Sequence, residues 1–478
     1  MNVILVSMDT TRADRLGCYG YARATSPALD AVAGQGAVFQ NFFSPFIPTF
    51  PGHTTMFTGK DIYAHGVTCQ SIDHKPRPGV RTIAELLAER GYFTAGADNL
   101  GNWFQRGFRH YETYEWERAV SGGWRKAEAV EAAATRVAGR IAGQNQPFFF
   151  FIHYWDPHTP YLPPAPFDRC FYNGDEHDPA NHSMDPVWQF ETFKNYFAEW
   201  MPGVTDIEFP KAQYDAEIAY MDASLGRIIE LCRTLGLLND TLLAITADHG
   251  EELDEHSYWF DHHGLYDTNL RIPLVLSDSG ARIPGGRRVA ATSSMLDIAP
   301  TVLDYCGAGD LAAREGLPGR SLLPLCSGDV TADTAPFLHI TENTWMKKRG
   351  LRTGPWKFIV PLEVPDMHGA RDVELYDLNA DPGERQNLAA QRPEMVARLS
   401  AQMQEHVAER LEATGLPDPL PRQPIPLRYI GSLATAVPHD EGLLRERASI
   451  LDEKLPGGDF IGYERDDENK SNAGGTAE

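Results

Sequence analysis

The feature that most constrains this fold is a regular alternation of short apolar runs with helix-length segments. The run from Val3 to Val6 consists of β-branched and aliphatic residues and has the length of a buried strand. The predicted strands are 3–6, 93–97, 147–153 and 241–246, and the predicted helices are 81–90, 126–141 and 214–235. This alternation predicts an α/β fold in which a large, mostly parallel sheet is sandwiched by helices.

Polar residues stand where four of the predicted strands end, namely Asp9, Asn99, Asp156 and Asp248. In open α/β sheets the ligand binds outside the carboxyl ends of the strands. Four separate strands that each deliver a polar group to that edge therefore predict one binding site there.

The 478 residues suffice for one large domain with additions. We expect a catalytic domain over residues 1–360, with an irregular, aromatic-rich insertion near the site at 163–210. A strand at 374–377 and a helix at 393–412 predict a small α+β subdomain over 361–416. Residues 417–478 read as a proline-rich extension that ends in a disordered tail.

The charge balance restricts the partners of the chain. There are 66 Asp and Glu against 43 Lys and Arg, a net charge of −23, so the surface repels nucleic acids and anionic lipids. The apolar run before Asp9 is too short for a signal-peptide core, and we expect a cytoplasmic protein that needs no membrane. The six scattered cysteines are expected to be buried thiols rather than disulfides.

The segment around Thr49 carries the clearest chemical pattern. Pro48 and Pro51 bracket Thr49, and a short hydroxyl-rich helix begins there, so the hydroxyl lies at the positive end of a helix dipole. Taken alone, Thr49 could simply cap that helix. The Asp248-His249 pair likewise suits a divalent cation, but in isolation it could be a capping Asp beside a surface His.

Together these segments resemble the alkaline-phosphatase superfamily, in particular its sulfatase and phosphonate monoester hydrolase branch. The resemblance extends over about residues 2 to 410 and rests on stretches that occur in the family's order. These stretches are 2–9, 17–20, 25–30, 49–59, 153–161 (a sulfatase-like HYxDPHxPY pattern), 246–251 and 375–388 (an LYDLxxDPxExxNL pattern).

The chain departs from the sulfatase pattern at its charged positions. Thr49 stands in place of the Cys or Ser that sulfatases convert to formylglycine, and His53 stands in place of an Arg. Thr10 replaces a second metal carboxylate, while Asn99 and His262 fall where the family has lysines. A formylglycine hydrate expels sulfate through its second hydroxyl, whereas a threonine ester must be hydrolysed by water.

The resemblance therefore implies a metal-dependent hydrolase of phosphate diesters, phosphate monoesters or phosphonate monoesters, with a phospho-threonine intermediate at Thr49. A sulfatase that uses the unmodified Thr49, or a phosphoryl transferase of the same superfamily, is the alternative. We expect the substrate to be a small anionic ester and the protein to form a homo-oligomer.

The resemblance also implies a role for each residue of the site. One divalent cation, Mn²⁺ or Zn²⁺ for this donor set, is expected on Asp9, Thr49, Asp248 and His249, with Thr10 as a further candidate. His158 would protonate the leaving oxygen, while His53, His262 and Asn99 would bind the transferred group. A second cation would use Asp156, His158 and His262.

Overall fold

The structure is a computed structural model that describes residues 1–119, 122–280, 282–328, 337–362 and 373–425. The strands are β1 (Asn2–Met8), β2 (Gly36–Phe39), β3 (Phe42–Phe43), β4 (Phe46–Ile47), β5 (Phe93–Ala97), β6 (His110–Glu112), β7 (Phe148–Tyr154), β8 (Thr241–Thr246), β9 (Leu274–Asp278), β10 (Arg287–Val289), β11 (Ser293–Ser294), β12 (Leu338–Asn343), β13 (Lys347–Thr353), β14 (Trp356–Pro361) and β15 (Glu374–Asp377).

The helices are α1 (Pro27–Gly34), α2 (Thr49–Thr58), α3 (Ile62–His65), α4 (Ile83–Glu89), α5 (Lys126–Ala142), α6 (Asp185–Gln189), α7 (Glu191–Trp200), α8 (Glu208–Thr234), α9 (Asp267–Leu270), α10 (Ile298–Tyr305), α11 (Gly309–Arg314), α12 (Leu323–Ser327) and α13 (Pro393–Thr414). All four predicted strands and all three predicted helices of the α/β region are present. The helix predicted from residue 214 already begins at Glu208, because a first-turn proline such as Pro210 needs no intrahelical hydrogen bond.

The main sheet has eight strands in the order β10-β2-β9-β8-β1-β7-β5-β6. Its strands are parallel to one another except β9, which is antiparallel to both of its neighbours. The central strands β1, β7 and β8 are buried almost throughout, as expected for strands covered by helices on both faces. The predicted α/β sandwich with a mostly parallel sheet is confirmed.

A second sheet has five strands in the order β15-β14-β13-β12-β4, and α13 packs against it. Strands β12 and β13 precede the boundary predicted at residue 360, and this boundary falls inside β14. The small α+β unit therefore draws on residues from 338 onward as well as on β15 and α13. Its edge strand β4 comes from the N-terminal region and pairs with β12 in parallel.

Two further segments contact the loops that follow β7 and α3. Within 163–210, α7 contributes the buried aromatic residues Phe193, Tyr196 and Phe197, and the Tyr196 hydroxyl lies 3.1 Å from Thr159 Oγ1. In the C-terminal extension, Gln423 accepts hydrogen bonds from both the amide and the hydroxyl of Thr68. The tail predicted to be disordered lies outside the described residues. None of the helices described here is both long and apolar enough to cross a bilayer.

Candidate active site

The site lies at the carboxyl edge of the main sheet. β1 lies between β7 and β8, and Ser7 is in register with His153 on one side and Thr246 on the other. The chain leaves β1 at Asp9 and reaches Asp248 and His249 just after β8. Parallel strands with this register bring their next residues together, and the predicted clustering of Asp9 with Asp248 is confirmed.

Asp9, Asp248 and His249 form a group that can hold a metal ion. One ligand atom from each lies within 4.8 Å of the others, and all three residues are buried. His249 Nε2 is 3.3 Å from Asp248 Oδ2 and 3.8 Å from Asp9 Oδ1. The amides of Thr10 and His249 donate to Asp248 Oδ1 and fix the direction of its other oxygen.

The donor atoms of this group fit a divalent cation. Both Asp9 oxygens, Asp248 Oδ2 and Thr10 Oγ1 are buried without a hydrogen-bond partner, a costly arrangement unless a cation satisfies them. Burial, reinforced by the charge of Asp248, raises the pKa of Asp9 well above its usual value. His249 Nδ1 donates to the Gly250 carbonyl at 3.0 Å, so Nε2 carries no proton and is the ring nitrogen that could bind a metal.

Thr49 is the first residue of α2 and faces this group. Its hydroxyl donates to His249 Nε2 at 3.2 Å, and the residue is only 2 % exposed. Gly52 permits the close approach, because a Cβ at that position would lie 3.2 Å from the Asp248 carbonyl oxygen. The predicted ligand set of Asp9, Thr49, Asp248 and His249 therefore comes together in space.

His53 lies one helical turn after Thr49, and both of its ring nitrogens are used inside the protein. Nδ1 donates to the Thr49 carbonyl at 3.1 Å, and Nε2 accepts from the Ser7 hydroxyl at 3.0 Å. Burial lowers the pKa of His53 to about 4. This geometry disagrees with the predicted contact to the transferred group, because the helical spacing turns the ring toward β1; His53 supports Thr49 instead.

The rings of His158 and His262 are neighbours, and the His262 ring covers one face of the His249 ring. The His158 and His262 ring centroids are 5.1 Å apart, and His262 stacks on His249 at 4.5 Å. His158 Nδ1 donates to the Thr159 carbonyl at 2.6 Å, and burial lowers the pKa of His158 to about 3. The ring is therefore neutral at pH 7, with Nε2 free to accept a proton.

Asn99 lies at the partly exposed rim of the site. Its side-chain oxygen accepts from the Trp155 indole, and its amide nitrogen donates to the Tyr114 carbonyl at 3.2 Å. One amide hydrogen remains, which is compatible with the predicted hydrogen bond to a substrate oxygen.

The pair formed by Asp98 and His153 was missed by the sequence-based prediction. His153 Nδ1 donates to Asp98 Oδ1 at 2.8 Å, and Nε2 lies 3.9 Å from Asp9 Oδ2 with no hydrogen-bond partner. The sequence did carry a signal for this pair, because His153 ends one predicted strand and Asp98 directly follows another.

Asp156 belongs to a different buried group. Its Oδ1 is 3.6 Å from Lys126 Nζ, which also lies 3.8 Å from Glu217 Oε2. Burial raises the pKa of Glu217 well above its usual value. The second cation set predicted from Asp156, His158 and His262 is not assembled, because Asp156 pairs with Lys126; within the described ranges, the metal-capable group is Asp9, Asp248 and His249.

Comparison with known proteins agrees with this architecture. A family model described as sulfatase matches residues 1–308, and one described as N-sulphoglucosamine sulphohydrolase, C-terminal, matches residues 254–413. An N-acetylglucosamine-6-O-sulfatase of Bacteroides thetaiotaomicron is 24 % identical, over 81 % of this chain and 82 % of its own. The multifunctional alkaline phosphatase superfamily protein PehA of Trinickia caryophylli is 25 % identical, over 71 % of this chain and 79 % of its own.

A similar solved structure is the phosphonate monoester hydrolase of Agrobacterium radiobacter. It aligns with a TM-score of 0.68 and 21 % identity, and the alignment covers 86 % of this chain and 96 % of that one. At this identity the likeness concerns the fold.

Proposed function

The chain belongs to the sulfatase family and is a sulfatase-like ester hydrolase, and from that premise we propose that it hydrolyses phosphate diesters or phosphonate monoesters through a covalent intermediate on Thr49. The observation that carries the proposal is the position of the Thr49 hydroxyl. Thr49 is the first residue of α2, and its hydroxyl lies 3.2 Å from His249 Nε2 and faces the buried carboxylates. A hydroxyl at this position is held ready to attack phosphorus.

In the first step Thr49 Oγ attacks phosphorus, the bond to the leaving oxygen breaks, and the hydroxyl proton ends on the released alcohol. His158 is the residue proposed to hand over that proton. In the second step water attacks the phospho-threonine, the Oγ–P bond breaks, and Thr49 regains a proton. In this step the unprotonated Nε2 of His158 would take up the proton of the attacking water, since Nδ1 carries the ring proton toward the Thr159 carbonyl.

Asp9, Asp248, His249 and Thr49 would hold the divalent cation, for which we propose Mn²⁺ or Zn²⁺. A bound cation supplies positive charge that lowers the pKa of a hydroxyl and offsets charge on the substrate. His53 keeps the first turn of α2 in place through the Thr49 carbonyl, and His262 and Asn99 contact the transferred group.

A sulfatase with an unmodified threonine is the second candidate, and the comparisons favour it. The N-acetylglucosamine-6-O-sulfatase aligns along most of both chains. Against that stands the chemistry of Thr49, which cannot form the aldehyde hydrate that expels sulfate. The match to PehA, a multifunctional alkaline phosphatase superfamily protein, supports the phosphorus-ester proposal.

The test compares the cation-loaded protein with its Thr49→Ala and Thr49→Ser variants on matched aryl esters of phosphate, phosphonate and sulfate. We expect kcat to fall at least about 1000-fold in Thr49→Ala. The Thr49→Ser control keeps a nucleophilic hydroxyl, should retain measurable turnover, and should carry the phosphoryl group after acid quenching, as seen in the intact mass. Full activity of Thr49→Ala, or a clear sulfate preference, would contradict the proposal.

A further inference from the structure

The first turn of α2 is capped by a residue that lies outside the helix. Pro48 stands at the N-cap position and has no polar side chain that could accept from the first amides. The Phe50 amide donates instead to Gln70 Oε1 at 3.1 Å. Pro51 has no amide hydrogen, and the Gly52 amide donates to the Pro48 carbonyl at 3.0 Å. Gln70 therefore fixes the turn of backbone that bears the proposed nucleophile.

The segment that leads into Gln70 is bound by a stretch from far along the chain, residues 418–425, which we call the C-terminal strap. Gln423 of the strap uses both ends of its side-chain amide there. Its Oε1 accepts from the Thr68 amide at 3.0 Å and from the Thr68 hydroxyl at 2.7 Å. Its Nε2 donates to the Gly66 carbonyl. These hydrogen bonds tie the strap to the backbone immediately before Gln70.

The strap is itself held by the second sheet. Near its start, Asp418 forms an ion pair with Arg349 of β13 at 2.5 Å. Leu420 is fully buried in an apolar cluster with Phe46, the residue that begins β4 and leads toward α2. Near the end of the strap, the Asn343 side chain of β12 donates to a strap carbonyl at 3.0 Å. The strap therefore offers a fixed support to the segment that it binds.

We propose that Gln423 and Gln70 are positioning residues for Thr49, through which the C-terminal strap sets the reactivity of the nucleophile. The inference deepens the proposed function and rests on it for the role of Thr49. Loss of the acceptor for the Phe50 amide leaves the first turn of α2 free to fray. A displacement of the attacking hydroxyl by about 1 Å can cost about 100-fold in rate, so partial fraying lowers kcat. The two glutamines act through the backbone, so KM should change little.

The first experiment measures kcat and KM of the Mn²⁺-loaded protein for the aryl ester that it hydrolyses fastest. Gln70→Met has a side chain of similar length without a strong acceptor, whereas the carboxylate of Gln70→Glu can still accept from the Phe50 amide. We expect kcat to fall about 10-fold in Gln70→Met, with KM within about 2-fold of the wild type. Gln70→Glu should keep kcat within about 3-fold. An equal loss in both variants, or a change in KM alone, would overturn the role of Gln70.

A double-mutant cycle tests whether the strap acts through Gln70. Gln423→Met removes the hydrogen bonds to the segment before Gln70 and keeps the buried Leu420, which removal of the whole strap would not. We expect Gln423→Met to lower kcat about 5-fold alone and by no more than about 2-fold when Gln70→Met is already present. If Gln423→Met does not fold, Thr68→Val weakens the same link and should lower kcat likewise. Losses that multiply in full, or an unchanged kcat, would overturn the role of the strap.

Hydrogen exchange separates this inference from the proposed function, because it requires no turnover. The Phe50 amide should exchange at least about 5-fold faster in Gln70→Met and in Gln423→Met, while the amides of α5 keep their wild-type rates. If no ester is hydrolysed, the proposed function fails, yet faster exchange of this amide in both variants still supports the link from the strap to α2. An unchanged rate in Gln423→Met, or equally faster exchange in α5, overturns the inference even if esters are hydrolysed.

Discussion

Among the individual side chains, Asp98 shows how a residue outside the metal-ligand group can shape it. It accepts hydrogen bonds from the Tyr111 hydroxyl, the Leu100 amide and His153 Nδ1. Burial alone would raise the pKa of Asp98, but His153 and the other donors outweigh it and keep the pKa below its usual value. The ionised carboxylate fixes the His153 tautomer and directs Nε2 toward Asp9, a positioning role for which carboxylate–histidine pairs are known at metal sites.

We predict that Asp98→Asn weakens binding of the divalent cation about 10-fold, because His153 no longer keeps a fixed orientation beside Asp9. The affinity can be measured by competition with a chromophoric chelator. Tyr111→Phe is the matched control, since it removes a different hydrogen bond to Asp98 and should leave the affinity within about 2-fold of the wild type. Unchanged affinity in Asp98→Asn would show that His153 does not act on Asp9.

Among the helices, α2 depends on a buried histidine at its far end from the site. His65, at the end of α3, accepts from the Val67 amide through Nδ1 at 3.0 Å and donates to Thr55 Oγ1 through Nε2 at 3.1 Å. Burial lowers the pKa of His65 to about 3. Its neutral ring joins α2 to α3 and to the segment that follows.

This contact makes stability depend on pH. The unfolded chain binds a proton at His65 with a pKa of about 6.5, whereas the folded protein holds the ring neutral down to about 3. The stabilisation is therefore complete above pH 6.5 and is lost as the pH falls through this window, by about 2 kcal/mol at pH 5.

We predict that His65→Gln flattens the decline of the free energy of unfolding between pH 7 and pH 5, measured by urea titration. The exposed His182→Gln should keep the wild-type slope; an unchanged slope in His65→Gln would contradict the assignment.

For the protein as a unit, the proposed metal-ligand group would destabilise the fold without a cation, because Asp9 would then be buried beside the charge of Asp248 with no partner for either of its oxygens. A cation present at about 100 times its Kd would stabilise the fold by about 2.7 kcal/mol. We predict that chelation lowers the Tm by several degrees in differential scanning calorimetry, and that adding Mn²⁺ restores it. The Asp248→Asn variant should show a much smaller response, and an equal response there would place the stabilising cation elsewhere.

Much of the α/β framework could be predicted from the sequence, because buried parallel strands are continuous apolar runs and their ends lie at one edge. The grouping of Asp9, Asp248 and His249 could be predicted from that rule, because these residues follow the ends of two parallel strands. The second sheet could not be predicted in the same way, since β12, β13 and β14 are partly polar strands whose pairing partners include β4, far away in the chain.

The directions and partners of individual side chains were the second feature that could not be predicted from the sequence. The position of His53 in the nucleophile segment indicated a substrate contact, but its actual direction depends on where one helical turn points relative to β1. Asp156 was placed correctly at a strand end, yet its partner Lys126 begins α5 and is visible only once the helices pack on the sheet.

The parallel pairing of β4 with β12 has a consequence for biosynthesis. The segment that leads into Thr49 is translated early, whereas the strand that pairs with it leaves the ribosome only after the entire main sheet has been made. A nascent chain could therefore complete its large sheet while β4 still lacked its partner strand β12. Hydrolytic competence would arise late in translation, when β12 is made. A chain terminated before β12 would carry every proposed metal ligand without the strand that supports the segment leading into Thr49.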